Sequence, residues 1–105
     1  MFVSSFDGRL TSDAELRYTP AGSPVINFTI MTDFYIPGEK TPNAMPVRCA
    51  LWREADKLME NMTKGRQLFI TGDCRFSVYQ NRGTVGINID CNVHRLTLGA
   101  LPRGA

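Results

Sequence analysis

The sequence predicts an all-β fold in a single domain. Apolar residues alternate with polar ones over long stretches, and the clearest stretch has apolar side chains at Val85, Ile87, Ile89, Cys91 and Val93. Such alternation is typical of a strand with one face buried and the other in water. Turn residues separate the alternating segments, and only one segment has helical periodicity. A chain of 105 residues with 43% apolar residues has the size and composition of one globular domain.

A second long strand precedes that segment and is predicted to form a hairpin with it. Its apolar positions also alternate, at Leu68, Ile70, Cys74, Phe76 and Val78. Gly72 interrupts this series where a barrel strand must coil or bulge. The connection Gln80–Gly83 ends in a glycine, which suits the positive φ of a tight turn. We therefore expect a long β arm in which the alternating apolar face is buried.

Three further strands are predicted upstream of this hairpin. They run through Phe2–Leu10, through Val25–Phe34, and through the segment that carries Val47, Cys49 and Leu51. Thr19–Pro24 contains two prolines and a glycine, so it is predicted to be a tight turn. Tyr35–Ala44 has the same content of proline and glycine and is predicted to be a mobile surface loop.

One helix is predicted between the third and fourth strands. Ala55, Leu58, Met59 and Met62 follow helical spacing, and Gly65 supplies a C-terminal stop. Three strands, a helix and two long strands are the element order of the five-stranded Greek-key OB-fold barrel. An SH3-like barrel is the main alternative, although it usually lacks a helix of this length at this place. The predicted domain covers residues 1–99, and residues 100–105 are predicted to form a short disordered end.

The composition argues against metal, cofactor and catalytic chemistry. Cys49, Cys74 and Cys91 are odd in number and far apart, which fits buried small side chains better than a disulfide framework or a metal site. His94, the only histidine, has no partners at metal-ligand spacing. The sequence also lacks a Ser/His/Asp set, a glycine-rich phosphate loop and a carboxylate pair beside His94. We expect a protein that is not an enzyme and that needs no cofactor or metal.

Charge and hydropathy indicate the partner class and the location. The net charge of +2 permits a polyanionic partner without requiring one. No run of eighteen apolar residues is present, and the N-terminus lacks the basic flank and apolar stretch of a signal peptide. We therefore expect a cytoplasmic protein with no membrane partner.

Three stretches of the sequence resemble bacterial single-stranded DNA-binding proteins. Gly8–Leu10 and Asp13–Ile30 look like the first hairpin of that family, for which the pattern is roughly G-x-L-x-x-D-P-E-x-R-Y-T-P-x-G-x-x-V-x-x-F. Ala14 stands where the family usually has proline. Lys64–Gly72 is similar to the end of the family's helix and to its fourth strand. The resemblance covers about residues 2–99, and it implies an OB-fold that binds single-stranded DNA.

The resemblance also implies which aromatic side chains contact DNA. By position, Trp52 and Tyr79 match two base-stacking sites of the family. Phe34 and Tyr35 lie close to a third stacking site, and one of the two is expected to contact a base. Aromatic faces of this kind suit sequence-tolerant binding, because every base has a π-face. The alternative for Trp52 is that it packs in the core.

Three arginines match basic positions near the family's DNA path. They are Arg17, Arg48 and Arg75. Strand alternation places Arg48 on the same face as Trp52, and Arg75 on the same face as Tyr79. Cations beside stacking faces are what binding of a single strand requires. The alternative for Arg17 is an ion pair between subunits.

Two positions depart from the family pattern. Pro46 stands where the family often has an aromatic residue, and Ser77 stands where a basic residue is common. Fewer contacts imply weaker binding than in a typical member, with a shallower salt dependence because fewer phosphates are neutralised.

The function that the resemblance implies is the coating and protection of single-stranded DNA during replication, recombination and repair, by a homotetramer. The alternative is a homodimer similar to primosomal replication protein N, which acts in replication restart, and a pure interaction protein is a third hypothesis. Family members usually end in an acidic peptide that recruits repair proteins. This sequence stops at Leu101–Ala105 without an acidic run, so either it is truncated or this member lacks such recruitment, and we expect none by the chain as given.

Overall fold

The structure is a computed structural model that describes residues 1–34, 37–41, 43–53 and 56–102. In chain order its elements are β1 (Val3–Leu10), β2 (Glu15–Tyr18), β3 (Pro24–Phe34), β4 (Asn43–Leu51), α1 (Asp56–Glu60), β5 (Gln67–Asn81) and β6 (Thr84–Leu98). The helix found in these ranges has five residues, far fewer than a helix needs to cross a bilayer.

Five of the strands close into a barrel. β1 pairs with β5, β5 with β6, and β3 with β4, all antiparallel, while β4 and β6 run parallel. The ring closes because the end of β1 also pairs with β3, where Leu10 lies opposite Ile30. The prediction of an all-β OB-fold barrel with a long final hairpin is confirmed. The short strand β2, which extends the sheet at β3, was not predicted, because four residues carry too little alternation to be recognised.

A single apolar core fills the barrel. Its buried members come from β1, β3, β4, β5 and β6 and from the segment after α1, and they are Leu10, Ile26, Phe28, Ile30, Val47, Cys49, Leu51, Met62, Leu68, Ile70, Cys74, Ile89, Cys91 and Val93. No polar or charged side chain of the described residues is buried with them. In the parts of these five strands that enclose the core, alternate residues therefore point inward, and the residues between them point outward.

The three cysteines form a row across the interior. Cys91 on β6 is the register partner of both Cys49 on β4 and Cys74 on β5, and all three thiols are free and buried. This confirms the prediction that they are buried small side chains. The hydrogen bond between Cys49 and Cys91 raises the pKa of Cys49 and lowers that of Cys91, to about 7. Burial raises the pKa of Cys74 to about 11. Within the described residues, no group of three or more His, Cys, Asp or Glu side chains is arranged to hold a metal ion.

The helix is shorter than its apolar spacing predicts. It ends at Glu60, and the next N–H groups, on Asn61 and Met62, bond three residues back instead of four. Met62 is buried, as the spacing suggested, but it lies in this tight turn, where its carbonyl accepts a hydrogen bond from Ala14. The loop between β1 and β2 thus bonds to the chain just after the helix has ended, before Gly65. Ala55, the first residue of the predicted helical series, lies outside the described residues.

The β5–β6 hairpin confirms the predicted arm but corrects its burial. Its two-residue turn has positive φ at both Arg82 (51°) and Gly83 (81°), the geometry of the type I′ turns that favour hairpins. The apolar face was expected to be buried along its whole length, yet Val78, Val85 and Ile87 are 73%, 65% and 63% exposed. The physical reason is that the arm extends past the part of the barrel where other strands cover this face.

Gly72 is the point at which β5 changes register against β6. A register shift lies between Thr71 and Gly72, as expected for a strand that coils around a barrel. A β-carbon added at Gly72 would lie 2.4 Å from the carbonyl oxygen of Asn92 and 2.6 Å from the sulfur of Cys91. The neighbouring strand β6 therefore lies too close to Gly72 to leave room for a side chain.

Replacing Gly72 with alanine should destabilise the protein by about 2 to 3 kcal/mol, because the clash involves backbone that cannot move alone. Gly22→Ala is the matched control. At Gly22 nothing lies within 4 Å of the added carbon, and only the positive φ of 86° opposes alanine, which should cost about 1 kcal/mol. Urea unfolding of both variants measures the difference. A Gly72→Ala variant no less stable than Gly22→Ala would contradict the close approach of β6.

Candidate nucleic-acid interface

An open groove of about 880 Å³ lies on the outer face of the sheet, across β3, β4, β6 and β5. Most of its lining consists of the outward residues that alternate with the core, and the core residues Phe28, Cys49 and Cys91 also line it. One row across the strands, in register, contains Thr29, Arg48, Asp90 and Arg75. The next row contains Glu15, Asn27, Ala50, Asn92 and Asp73. The groove is therefore the polar reverse side of the strands that enclose the core.

An ion pair occupies the middle of the first row. Nε of Arg48 donates to Oδ1 of Asp90 at 2.9 Å, and Nη2 donates to Oδ2 at 3.0 Å, so the guanidinium fork holds both carboxylate oxygens. The side chains are 59% and 35% exposed. A pair this exposed contributes at most about 1 kcal/mol to stability. Arg75 lies on the other side of Asp90, as its register partner on β5.

Trp52 lies at one end of the groove. It follows Leu51, the last residue of β4, and the N–H of Arg53 bonds back to the carbonyl of Leu51, so the chain turns at this point. Its side chain is 55% exposed and lines the groove. Trp52 is thus not a core residue, which removes the alternative considered for it, and its indole ring is accessible from the groove.

Tyr79 lies on the same outward side, on the arm. It is four residues beyond Arg75 on β5, or about 13 Å along the strand. Its ring covers Gly86 on β6, where an added β-carbon would come within 2.2 Å of the ring. Tyr79 remains 47% exposed, so one side of its ring is in contact with the arm and the rest faces solvent. The glycine at position 86 makes room for this position of the ring.

Not all of the predicted contact residues are brought together. Arg17 lies on β2 at the sheet margin and pairs with Glu15, Nη2 to Oε2 at 2.8 Å. Phe34 ends β3 and is 40% exposed, but it is not among the residues that line the groove. Tyr35 lies outside the described residues.

Sequence reasoning missed the carboxylates of the groove. Asp13, Glu15, Asp73 and Asp90 line it together with Arg48 and Arg75. Alternation along β6 could have placed Asp90 on an outward face. Its pairing with Arg48 depends on the parallel contact between two strands distant in sequence, which no local pattern reveals.

The position of the Tyr79 ring can be checked by NMR without any ligand. A proton above or below an aromatic ring is shifted upfield, so the Gly86 α-protons should resonate upfield of ordinary glycine values. Tyr79→Leu should return them to ordinary values, whereas Tyr18→Leu, on β2, should leave them unchanged. Unshifted Gly86 protons in the wild-type protein would mean that the ring does not cover this residue.

The sequence matches a family profile described as the single-strand binding protein family, over residues 3–97. The single-stranded DNA-binding proteins of Mycolicibacterium smegmatis and Mycobacterium tuberculosis H37Rv are each 37% identical over 81 residues, and the match covers 71% of this chain and 49% of each relative. That of Paenarthrobacter nicotinovorans is 34% identical over 94 residues, and the match covers 79% of this chain and 55% of the relative. The chain thus spans about half the length of these curated relatives.

The matched residues include every strand of the barrel and nearly the whole arm. A profile match of this extent, on an OB-fold barrel with an open groove, identifies the family. The chain belongs to the single-strand binding protein family.

Proposed function

We propose that this chain binds single-stranded DNA in the outer groove and along the arm, with little sequence preference. The observation that carries the proposal is an accessible indole, Trp52, on the same outer face as Arg48 and Arg75. An aromatic face for bases and cations for phosphates are the two components of sequence-tolerant single-strand binding. The names of the curated relatives describe the same activity for those proteins.

The proposed path runs from Trp52, over the central row, to Tyr79. Strand spacing gives a length of about 25 Å between the levels of these two aromatic residues. Bases stack on both rings, and Arg75, for which the described residues contain no ion-pair partner, contacts a phosphate. Arg17 can contribute only if its exposed pair with Glu15 opens, which costs little. Phe34 contributes least, because it does not line the groove.

We propose that this binding protects exposed strands during replication, recombination and repair. Stacking requires unpaired bases, because the π-faces inside a duplex are already occupied by neighbouring bases. The proposed site therefore distinguishes single strands from duplex by access to the bases, and it needs no catalytic group to do so.

We also propose that the chain assembles as a homotetramer, with a homodimer as the alternative. Val78, Val85 and Ile87 form an exposed apolar face on the side of the arm opposite to Tyr79. Phe76 adjoins them and has its ring edge-to-face against Phe2, with centroids 5.4 Å apart. Apolar side chains grouped on one face of a strand pair typically mark a protein contact. Self-association would cover this face and leave the groove accessible.

Titration with oligo(dT) should quench the fluorescence of Trp52, the only tryptophan, and Trp52→Ala should weaken binding by about 1 to 3 kcal/mol if one base stacks there. Binding should weaken with salt. The logarithm of the binding constant should fall with the logarithm of the salt concentration, with a slope of about −0.7 for each neutralised phosphate. Anisotropy of labelled DNA measures both effects.

Trp52→Phe is the matched control for this experiment. It keeps an aromatic face, so it should retain most of the affinity that Trp52→Ala loses. Both variants should keep the wild-type melting temperature, because the side chain is exposed. Unchanged fluorescence on saturation, or a duplex probe that competes equally well, would exclude stacking on Trp52.

Ile87→Lys should reduce the size of the assembly, because it places a charge in the proposed apolar contact. Asn88→Lys adds the same charge to the next residue, on the other face of the arm, and should leave the assembly intact. Sedimentation velocity of the wild type and both variants measures this. A monomeric wild type, or an Ile87→Lys variant of unchanged size, would show that the apolar face is not the contact.

A further inference from the structure

Cys74 and Cys91 face each other at the base of the arm, on the inward side of β5 and β6. They are register partners, and both thiols are free and buried. The next inward side chain of β5 along the arm, Phe76, is already 52% exposed. The two thiols therefore lie at the edge of the core, where the barrel ends and the arm begins.

The backbones of Cys74 and Cys91 form no hydrogen bond with each other. In a hairpin with a two-residue turn the closing pair, here Asn81 and Thr84, is hydrogen-bonded, and the two kinds of pair then alternate along the strands. Cys74 and Cys91 lie seven pairs further along, with no register shift in between, so theirs is a non-hydrogen-bonded pair. The N–H of Cys74 agrees with this, because it donates to the carbonyl of Phe2, at 2.7 Å, and not to β6.

A non-hydrogen-bonded pair has the geometry that a disulfide needs. Its α-carbons are about 4.5 Å apart, and disulfides join α-carbons separated by about 4.4 to 6.8 Å. The two thiols are also close enough to form a hydrogen bond.

Cys49, the neighbour of Cys91 on the other side, is a less suitable partner. It is paired with Cys91 across parallel strands, where the β-carbons stay at the strand spacing of about 4.8 Å. A disulfide requires β-carbons about 3.5 to 4.5 Å apart. The geometry therefore favours a bond from Cys91 to Cys74.

Cys91 is the more reactive thiol of the two. Its hydrogen bond with Cys49 lowers its pKa to about 7, so a large fraction is thiolate at neutral pH. Burial raises the pKa of Cys74 to about 11, so this residue stays a thiol. Because the thiolate is the form that reacts with peroxides, oxidation should begin at Cys91.

We propose that Cys74 and Cys91 are an oxidation site for hydrogen peroxide, at which a reversible disulfide fastens the base of the arm. The Cys91 thiolate attacks one peroxide oxygen, so that an S–O bond forms, the O–O bond breaks, and the hydroxide released takes up a proton to become water. Cys74 then attacks the sulfur of Cys91, so that the S–S bond forms, the S–O bond breaks, and the oxygen leaves as a second water with the proton of Cys74. Two thiols are oxidised and one peroxide is reduced to water.

The disulfide would stabilise the protein mainly through its effect on the unfolded chain. It closes a loop that contains residues 75–90, which include the whole of the arm beyond the barrel. A cross-link of this kind restricts the unfolded chain more than the folded one, in which the two strands are already paired. This inference does not depend on the proposed binding of DNA.

The test treats the reduced full chain with a small excess of hydrogen peroxide at neutral pH. Free thiols, counted in denaturant, should fall from three to one, and dithiothreitol should restore all three. Trypsin separates the cysteines into the peptides 49–53, 67–75 and 83–95, so mass spectrometry should find 67–75 linked to 83–95. The oxidised chain should melt about 10 °C above the reduced chain.

Two matched variants identify the partner of Cys91. Cys49→Ala keeps the proposed pair, so it should form the disulfide and retain no free thiol. It should react more slowly, because it lacks the hydrogen bond that lowers the pKa of Cys91. Cys74→Ala should form no disulfide, although Cys49 and Cys91 are both still present. Each variant replaces a buried thiol beside Cys91 by the same methyl group, and thermal melts of the reduced proteins show whether both fold.

The outcomes that would overturn the proposal are distinct. Three free thiols after treatment, a link between 49–53 and 83–95, or a link between two chains would each refute the site. If Cys74→Ala fails to fold, the peptide link in the wild type decides. A link between 67–75 and 83–95 that leaves the melting temperature unchanged would refute the fastening of the arm and leave the oxidation site standing.

Discussion

β4 and β6 lie side by side in parallel, in register at Arg48–Asp90, Cys49–Cys91 and Ala50–Asn92, and this contact joins parts of the chain about 40 residues apart. It is the only parallel pairing among the described strands, and it completes the ring that β1 closes against β3. Because side chains alternate, the same pairing arranges both faces of the sheet. The interior receives the row of thiols and the exterior receives the Arg48–Asp90 pair. The pairing of β4 with β6 therefore contributes to both the core and the groove.

The row of buried thiols and the Arg48–Asp90 ion pair contribute differently to the stability of the fold. The thiols lie in a core that excludes water, so their burial contributes to folding through packing. The ion pair is exposed to water and adds little to stability, because its attraction is screened and its long side chains lose conformational freedom. A contact that the fold does not need can serve recognition.

The arm shows which of its features the local alternation of apolar and polar residues can predict. Alternation correctly predicted both of its strands and the turn near Gly83, because these depend on residues close in sequence. The same alternation predicted burial of Val78 and Ile87, which are exposed. Burial depends on what lies above a strand, and the covering strands end before the arm does. The position of Trp52 at the groove could likewise be predicted from its place after β4, whereas the orientation of Phe34 could not be predicted from the family's motif alone.

The sequence by itself determined the all-β class, the order of the barrel strands, the cysteines inside and the family resemblance that Gly8–Leu10 and Asp13–Ile30 carry. These depend on periodicity and on turn residues, which act over a few residues at a time. Only the tertiary structure decided that Asp90 holds Arg48, that Gly86 lies beneath the ring of Tyr79, and that the helix ends at Glu60. Each of these depends on which distant strand or loop becomes a neighbour. Closure of the barrel determines which distant segments become neighbours, and no short segment of the sequence specifies that closure.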